Sequence, residues 1–236
     1  MREYTERLKK KFYSNTDHPY KVYSNIIRQY VKKDDLIVDA GCGHEAPGLT
    51  KLSDVSKNLI GLDLTNFSKR DTRNGFSLVR NDISDICIKD NMVDVVISRS
   101  VLEHLSDPFK VFFEVYRILK KPGYFIFLTP NIGDYSSIIA KLIPNRFHAS
   151  IVSKTEGRNI EDTFSTYYRS NSLKSIKRYS EKLGFNIEYS EYLGQYPTYF
   201  TFNPVLFLFA SAYDRLICKH DFLKILRGWI LVVLQK

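Results

Sequence analysis

The chain has 236 residues, 44 % of them hydrophobic, and a formal net charge of +9. That balance excludes a disordered chain and fits one domain with a full core, and no apolar run reaches the roughly 20 residues of a spanning helix. The positive charge is that of an ordinary basic soluble protein, or it favours an anionic partner such as a phosphorylated molecule, a bilayer surface or nucleic acid.

The N-terminal residues Met1-Arg2-Glu3-Tyr4 carry no apolar signal core. Cys42, Cys87 and Cys218 are neither paired nor spaced as metal ligands. A reducing, cytoplasmic setting is expected, with no metal. Pro19 and the stripe Val22, Ile26, Ile27 and Tyr30 predict a helix over 19–33. Strand one follows at 35–40, then a short helix, then Leu59–Asp63 as strand two and 76–80 as strand three. Val93–Ser98 is β-branched and compact, a fourth strand. Asp107-Pro108 opens an amphipathic helix over 107–120 that Lys121-Pro122-Gly123 ends, and 124–129 is a fifth strand closed by Pro130. Residues 131–170 are polar, aromatic and irregular, too long for a plain connection. A helix at 171–183 stops at Gly184; 185–189 and 229–234 read as a final strand pair, the last antiparallel. Strands alternating with helices imply a parallel sheet covered on both faces.

The most informative stretch is Leu36-Ile37-Val38-Asp39-Ala40-Gly41-Cys42-Gly43. An apolar run suited to a buried parallel strand ends in an acid and two glycines. Glycine allows a sharp turn and a close backbone approach to a ligand. In open α/β sheets, ligands sit beyond the carboxyl ends of the strands. Gly41, Gly43 and Ala46 also fit the loose dinucleotide fingerprint. Against that reading stand Asp39 at the strand end and Pro47, which has no N–H for a pyrophosphate.

Five elements together resemble a class I S-adenosylmethionine-dependent methyltransferase of the small-molecule branch that includes the ubiquinone and menaquinone methylases. They are Val38–Gly43, Gly61-Leu62-Asp63, Asn81-Asp82-Ile83, Val101–Leu105 and Leu119–Gly123, in the family's order. The resemblance covers roughly 20–130 and the terminal strand pair. It implies a Rossmann-like α/β fold with a seven-stranded, mostly parallel sheet ordered 3-2-1-4-5-7-6, strand seven antiparallel. One domain over 1–236 is expected, with an N-terminal helical lid over 1–34. A substrate-side insertion would fill 131–170, and an apolar and basic insertion would fill 195–228 between strands six and seven.

By the same resemblance, Asp39, Gly41, Cys42 and Gly43 line the methionine end of S-adenosyl-L-methionine, whose product is S-adenosyl-L-homocysteine. Asp39 alternatively caps backbone amides. Asp63 accepts the ribose hydroxyls or serves as a turn aspartate. Leu64 packs on the adenine, Asp82 accepts from its amino group and Ile83 adds apolar contact. Ser98 and Arg99 stand beside the sulfonium; Arg99 faces an anionic substrate or pairs with a surface carboxylate. His104 is the first choice of general base, or it fixes the loop. His148 is a second catalytic choice. Tyr20, Arg146, His148, Tyr168 and Arg169 are expected to bind the substrate, since guanidinium groups suit anions and tyrosine faces suit rings.

The expected acceptor is a small molecule, anionic or lipid-linked, with an oxygen of a saccharide or saccharide precursor first. A quinone-type, lipid or other natural-product acceptor comes second, and a non-catalytic cofactor-binding scaffold is the alternative of another class. Ser98-Arg99-Ser100-Val101 lacks the Asn/Asp-Pro-Pro-aromatic element of base-methylating enzymes, so no nucleic acid is expected. The apolar run Asn203–Ala210 with Arg215, Lys219, Lys224 and Arg227 behind it suits a buried helix, a dimer contact or peripheral membrane contact through 203–228.

Overall fold

The computed structural model describes residues 2–14, 16–67, 75–142, 165–197 and 200–236. Helices α1 (Arg2–Tyr13) and α2 (Pro19–Tyr30) precede β1 (Ile37–Ala40), α3 (Pro47–Thr50), β2 (Leu59–Asp63), β3 (Ser77–Arg80) and β4 (Val93–Arg99). A 3-10 turn at Leu102–His104 leads to α4 (Pro108–Ile118), β5 (Leu119–Pro130) and α5 (Tyr135–Leu142). Then come α6 (Leu173–Leu183), β6 (Asn186–Leu193), α7 (Pro204–Lys219), a 3-10 segment at Asp221–Leu226 and β7 (Trp229–Gln235).

Among the described residues, seven strands form one sheet in the expected order, β3-β2-β1-β4-β5-β7-β6. The pairs among β1 to β5 are parallel, and β7 runs antiparallel to both β5 and β6. Alternation along the central strands divides the core. Phe125 and Phe127 of β5, with Val232 and Leu234 of β7, meet Phe112, Val115 and Ile176 from α4 and α6. Ile126, Leu128, Leu231 and Val233 point the other way, towards Tyr23, Ile27 and Leu49. Both faces are therefore dry, which is why these strands read as continuous apolar runs.

Local signals set the helix ends. Asp107 accepts from the Lys110 amide at 3.3 Å and Pro108 starts α4. Ser172 and Ser175 form a reciprocal capping box for α6, and Gly184 closes it in the left-handed conformation. His18 caps α2, its Nδ1 accepting from the Tyr20 amide at 3.2 Å.

The structure departs from the expected elements in three places. β5 starts at Leu119, not 124, because Leu119 pairs with Val93 ahead of a bulge between Val93 and Val95. Residues 135–142, expected to be irregular, are helical; Asp134 accepts from the Ser136 amide and starts the turn. The expected lid over 1–34 divides in two: α2 buries Tyr23 and Ile27 in the core, and α1 lies against α7.

Phe112 is fully buried and meets Phe125 and Phe127 edge-on at 5.6 and 5.8 Å. Phe112→Ala is expected to cost about 3–5 kcal/mol in urea unfolding. A loss below about 1 kcal/mol would mean that this layer is not packed as described.

Candidate active site

The carboxyl ends of β1, β2 and β4 lie side by side, with Asp39 opposite Gly61 and Ile97. The chain leaves β1 through Gly41, at φ +81°, and Gly43, at φ +66°. A side chain on Gly41 would overlap the Val101 side chain, so the turn closes tightly against the exit of β4. Among the described residues, nothing lies within 4 Å of where a Gly43 side chain would start, so that side of the loop has room for a ligand.

Asp63 holds this turn. Its Oδ2 accepts from the Gly43 amide at 2.8 Å and its Oδ1 from the Thr65 amide at 3.0 Å. Each carboxylate oxygen keeps a further lone pair, so Asp63 can set the loop and still accept from a ligand. Asp39 is buried, and a methyl on Gly48 would overlap its Oδ2. Burial lifts its carboxyl to about 7, against the pull of the Arg99 guanidinium and with a push from Asp63. Burial likewise pushes the Cys42 thiol up, and its sulfur packs over Gly61. Leu64 is exposed, Ile83 is half-buried against the core, and Asp82 accepts from the Ser84 amide at 2.8 Å just past β3.

Ser98 is turned into the sheet: its hydroxyl donates to the Ala40 carbonyl at 2.7 Å, tying β4 to β1. Its carbonyl accepts from the Tyr23 hydroxyl at 3.1 Å. The Arg99 guanidinium lies 4.4 Å from the centre of the Tyr20 ring, which meets Trp229 edge-on at 5.5 Å. Beside them, a cavity of about 350 Å³ is lined by Lys9, Tyr13, His18, Gln195 and Tyr196 among others. Burial and the nearby cations Lys9, Arg99 and Lys51 lower the His18 imidazole below its usual value.

His104 ends the 3-10 turn, half-buried. Its Nδ1 lies 3.1 Å from the Ser165 carbonyl, and because a carbonyl only accepts, Nδ1 is the protonated nitrogen. Its Nε2 is 3.9 Å from Oε1 of the buried Glu103. Tyr167 and Tyr168 donate their amides to the Glu103 carbonyl at 2.7 and 3.2 Å. Burial first, then the Glu103 charge, raises the Tyr168 hydroxyl to about 12. Arg169 donates to the Ser106 carbonyl and stacks near Tyr167, which fastens residues 165–170 over the turn. Arg146 and His148 lie outside the described residues.

Tyr20, Asp39, Gly41, Cys42, Gly43, Asp63, Arg99, His104 and Tyr168 thus gather along one sheet edge. Sequence reasoning missed Glu103, Asn131 and Trp229. Asn131 donates to the Ile225 and Arg227 carbonyls at 2.7 and 2.8 Å and fixes the exit of β5 to the entry of β7. Its position directly after a strand-ending proline was the available signal.

Residues 38–127, which supply β1, β2 and β4 and most of this edge, match the family described as Methyltransferase domain. Residues 38–127 are a class I S-adenosylmethionine-dependent methyltransferase domain. The cofactor of this domain is S-adenosyl-L-methionine. The chain is 28 % identical over 159 residues to an S-adenosylmethionine-dependent methyltransferase of Mycolicibacterium smegmatis, 62 % of this chain and 60 % of that protein. It therefore spans about three fifths of that relative's length. The fold is shared with a chain of the complex between the Haloferax volcanii Trm112 methyltransferase activator and a methyltransferase. There the TM-score is 0.61 at 18 % identity, covering 99 % of this chain and 93 % of that one. The S-adenosylmethionine-dependent methyltransferase from Mesorhizobium loti gives 0.59 at 18 % identity, with 90 % and 95 % covered.

The residues present fit this cofactor. Among the described residues the loop is open at Gly43, and the carboxyl groups of Asp39 and Asp63 at the adjoining strand ends suit a ligand whose sulfonium and amine are cationic. Asp39 stands above its ordinary 3.8, so the folded chain keeps a proton that the unfolded chain has lost between about pH 4 and pH 7. This group's contribution to stability falls as pH rises through that window. Asp39→Asn is expected to gain melting temperature relative to wild type on going from about pH 5 to about pH 8, while binding S-adenosylhomocysteine more weakly. Parallel melting curves across that range would contradict the assignment.

Proposed function

We propose that the chain transfers a methyl group from S-adenosyl-L-methionine to a small-molecule acceptor, with an oxygen of a saccharide or saccharide precursor as the acceptor atom. The observation that carries the reading is the Asp63 carboxylate at the end of β2 holding the Gly43 amide at 2.8 Å with lone pairs left over for a ligand. The bound cofactor supplies an electrophilic methyl on sulfur, so the protein's work is positioning, desolvation and proton removal. Orientation alone contributes on the order of 7–11 kcal/mol in well-aligned systems.

In this reading Gly41 and Gly43 pass the amino-acid end, Asp63 takes the ribose hydroxyls and Asp82 the adenine amino group. Tyr20, Trp229 and the cavity beside them receive the acceptor. Aromatic faces flanked by Gln195 and His18 suit a ring that presents both C–H faces and hydroxyls. An alcohol must lose a proton as it attacks. In this reading His104 takes it: Nδ1 is held by the Ser165 carbonyl, Nε2 carries the basic lone pair, and Glu103 favours the imidazolium that proton uptake creates. Tyr168 narrows the same side.

Calorimetry with S-adenosylhomocysteine tests the cofactor, and labelled methyl transfer into candidate saccharide precursors tests the reaction. Heat of binding without any methyl transfer would leave a scaffold; no heat would remove both. His104→Ala is expected to reduce turnover of an alcohol acceptor about 10²–10⁴-fold with little change in cofactor affinity. Near-normal turnover would assign His104 to loop structure instead.

A further inference from the structure

Helix α7 is built inside out. Its inner stripe is Phe207, Ser211, Asp214 and Ile217, all buried. Its outer stripe is Val205, Phe209, Ala212 and Leu216, all apolar and all exposed, with Phe209 73 % accessible. The two stripes sit two residues out of phase, on opposite faces of a 3.6-residue turn. The inner polar groups gain little from burial: Ser211 Oγ and Asp214 Oδ2 have no hydrogen-bond partner among the described residues. Burial, followed by the Asp134 charge, lifts the Asp214 carboxyl to about 8. A helix selected only for contact with water on its outer side would carry the opposite pattern.

The apolar face continues beyond the helix. Phe202 precedes it at 61 % exposure, and Phe222 and Ile225 protrude from the following 3-10 segment at 78 % and 58 %. Asn131 pins that segment through the Ile225 and Arg227 carbonyls, so the protrusions sit on a fixed base. The charges around the face are sorted. Arg227 is turned inward onto the Ile217, Cys218 and Tyr192 carbonyls, and Lys224 pairs with Asp221 at 3.1 Å. The border on the α1 side is cationic: the Arg215 guanidinium and the Lys11 ammonium share the Phe12 ring at 5.4 and 6.0 Å, next to exposed Lys10. Exposed Lys219 stands at the far end of α7.

We propose that this face docks on an anionic lipid bilayer, with α7 lying in the plane of the headgroups. No helix among the described residues is long and apolar enough to cross a membrane, and a 16-residue helix with Phe, Leu and Val outward and cations at its edges is suited to lying on one. The occupant is chosen on charge. A second copy of this chain would bring another basic border against the first, whereas an anionic surface satisfies both the apolar stripe and its cationic rim. The docking face adjoins the sheet edge that carries the site, because β7 starts at Trp229 directly after the 3-10 segment. A lipid-linked acceptor would then reach Tyr20 and Trp229 from the bilayer; that consequence rests on the methyl-transfer reading, and the docking does not.

The test is co-sedimentation of the full chain with vesicles of phosphatidylcholine plus phosphatidylglycerol, against phosphatidylcholine alone. Wild type is expected to pellet with the anionic vesicles and to be released by high salt. Phe209→Ser combined with Phe222→Ser is expected to bind at least about tenfold more weakly, since each ring removed takes its buried apolar area with it. Both side chains are exposed, so calorimetry with S-adenosylhomocysteine should be the same in both proteins, which separates failure of docking from failure of the cofactor site. Wild type left in the supernatant, equal binding by the double variant, or light scattering that shows a dimer dissolved by the two substitutions would each overturn the proposal.

Discussion

Everything at the sheet edge depends on one contact between segments 20 residues apart: the Asp63 carboxylate at the end of β2 accepting from the Gly43 amide beyond β1. Two glycines at positive φ have little conformational preference of their own and would wander in a free chain. Here Val101 closes one side of the turn, and the Gly41 and Cys42 amides both donate to the Leu62 carbonyl, at 2.8 and 3.1 Å. The turn is consequently held by β2 on one side and by the exit of β4 on the other. The acid that fixes the loop keeps lone pairs of its own, so in the proposed reading loop shape and ligand recognition fall to the same group.

Charge is partitioned across that edge. In a chain of net charge +9, the adjoining ends of β1 and β2 carry two acids, Asp39 and Asp63. The side beyond β4 is aromatic and basic, through Tyr20, Trp229, Arg99 and Lys9. A cationic donor and a neutral or anionic acceptor would be sorted by this gradient before any specific contact forms. Arg99 stands on the boundary. Its guanidinium lies 4.4 Å from the centre of the Tyr20 ring and also pulls the buried Asp39 carboxyl towards its charged form.

Much of this was legible from residues alone. Leu59–Asp63 is the strand expected, end for end, because five residues bounded by Asn58 and a terminal acid leave little freedom of register. The strand order follows from the motifs, each of which belongs to one strand end. What the sequence hid were partnerships across space. Ser98 looks like a site residue, yet its hydroxyl belongs to Ala40. Lys120 to Gly123 look like a helix stop, yet they lengthen β5, because Leu119 already pairs with Val93, and Lys120 reaches the Asp94 carboxylate at 2.7 Å across the bulge. The Asn203–Ala210 run was apolar all round, and periodicity could not choose which stripe would face inward; only packing against α1 and the 3-10 segment did. Asp134 was a readable helix cap, followed by Ile138, Ile139 and Leu142 at helical spacing, and was obscured by the serines and tyrosine between.

The most direct measurement of the central claim is a crystal structure of the chain with S-adenosylhomocysteine. The sugar hydroxyls should lie within hydrogen-bonding distance of the Asp63 carboxylate, with the Gly43 amide still donating to it and the amino-acid tail running past Gly41. A ligand bound away from the ends of β1 and β2, or an Asp63 side chain that swings off Gly43 to admit it, would contradict the account.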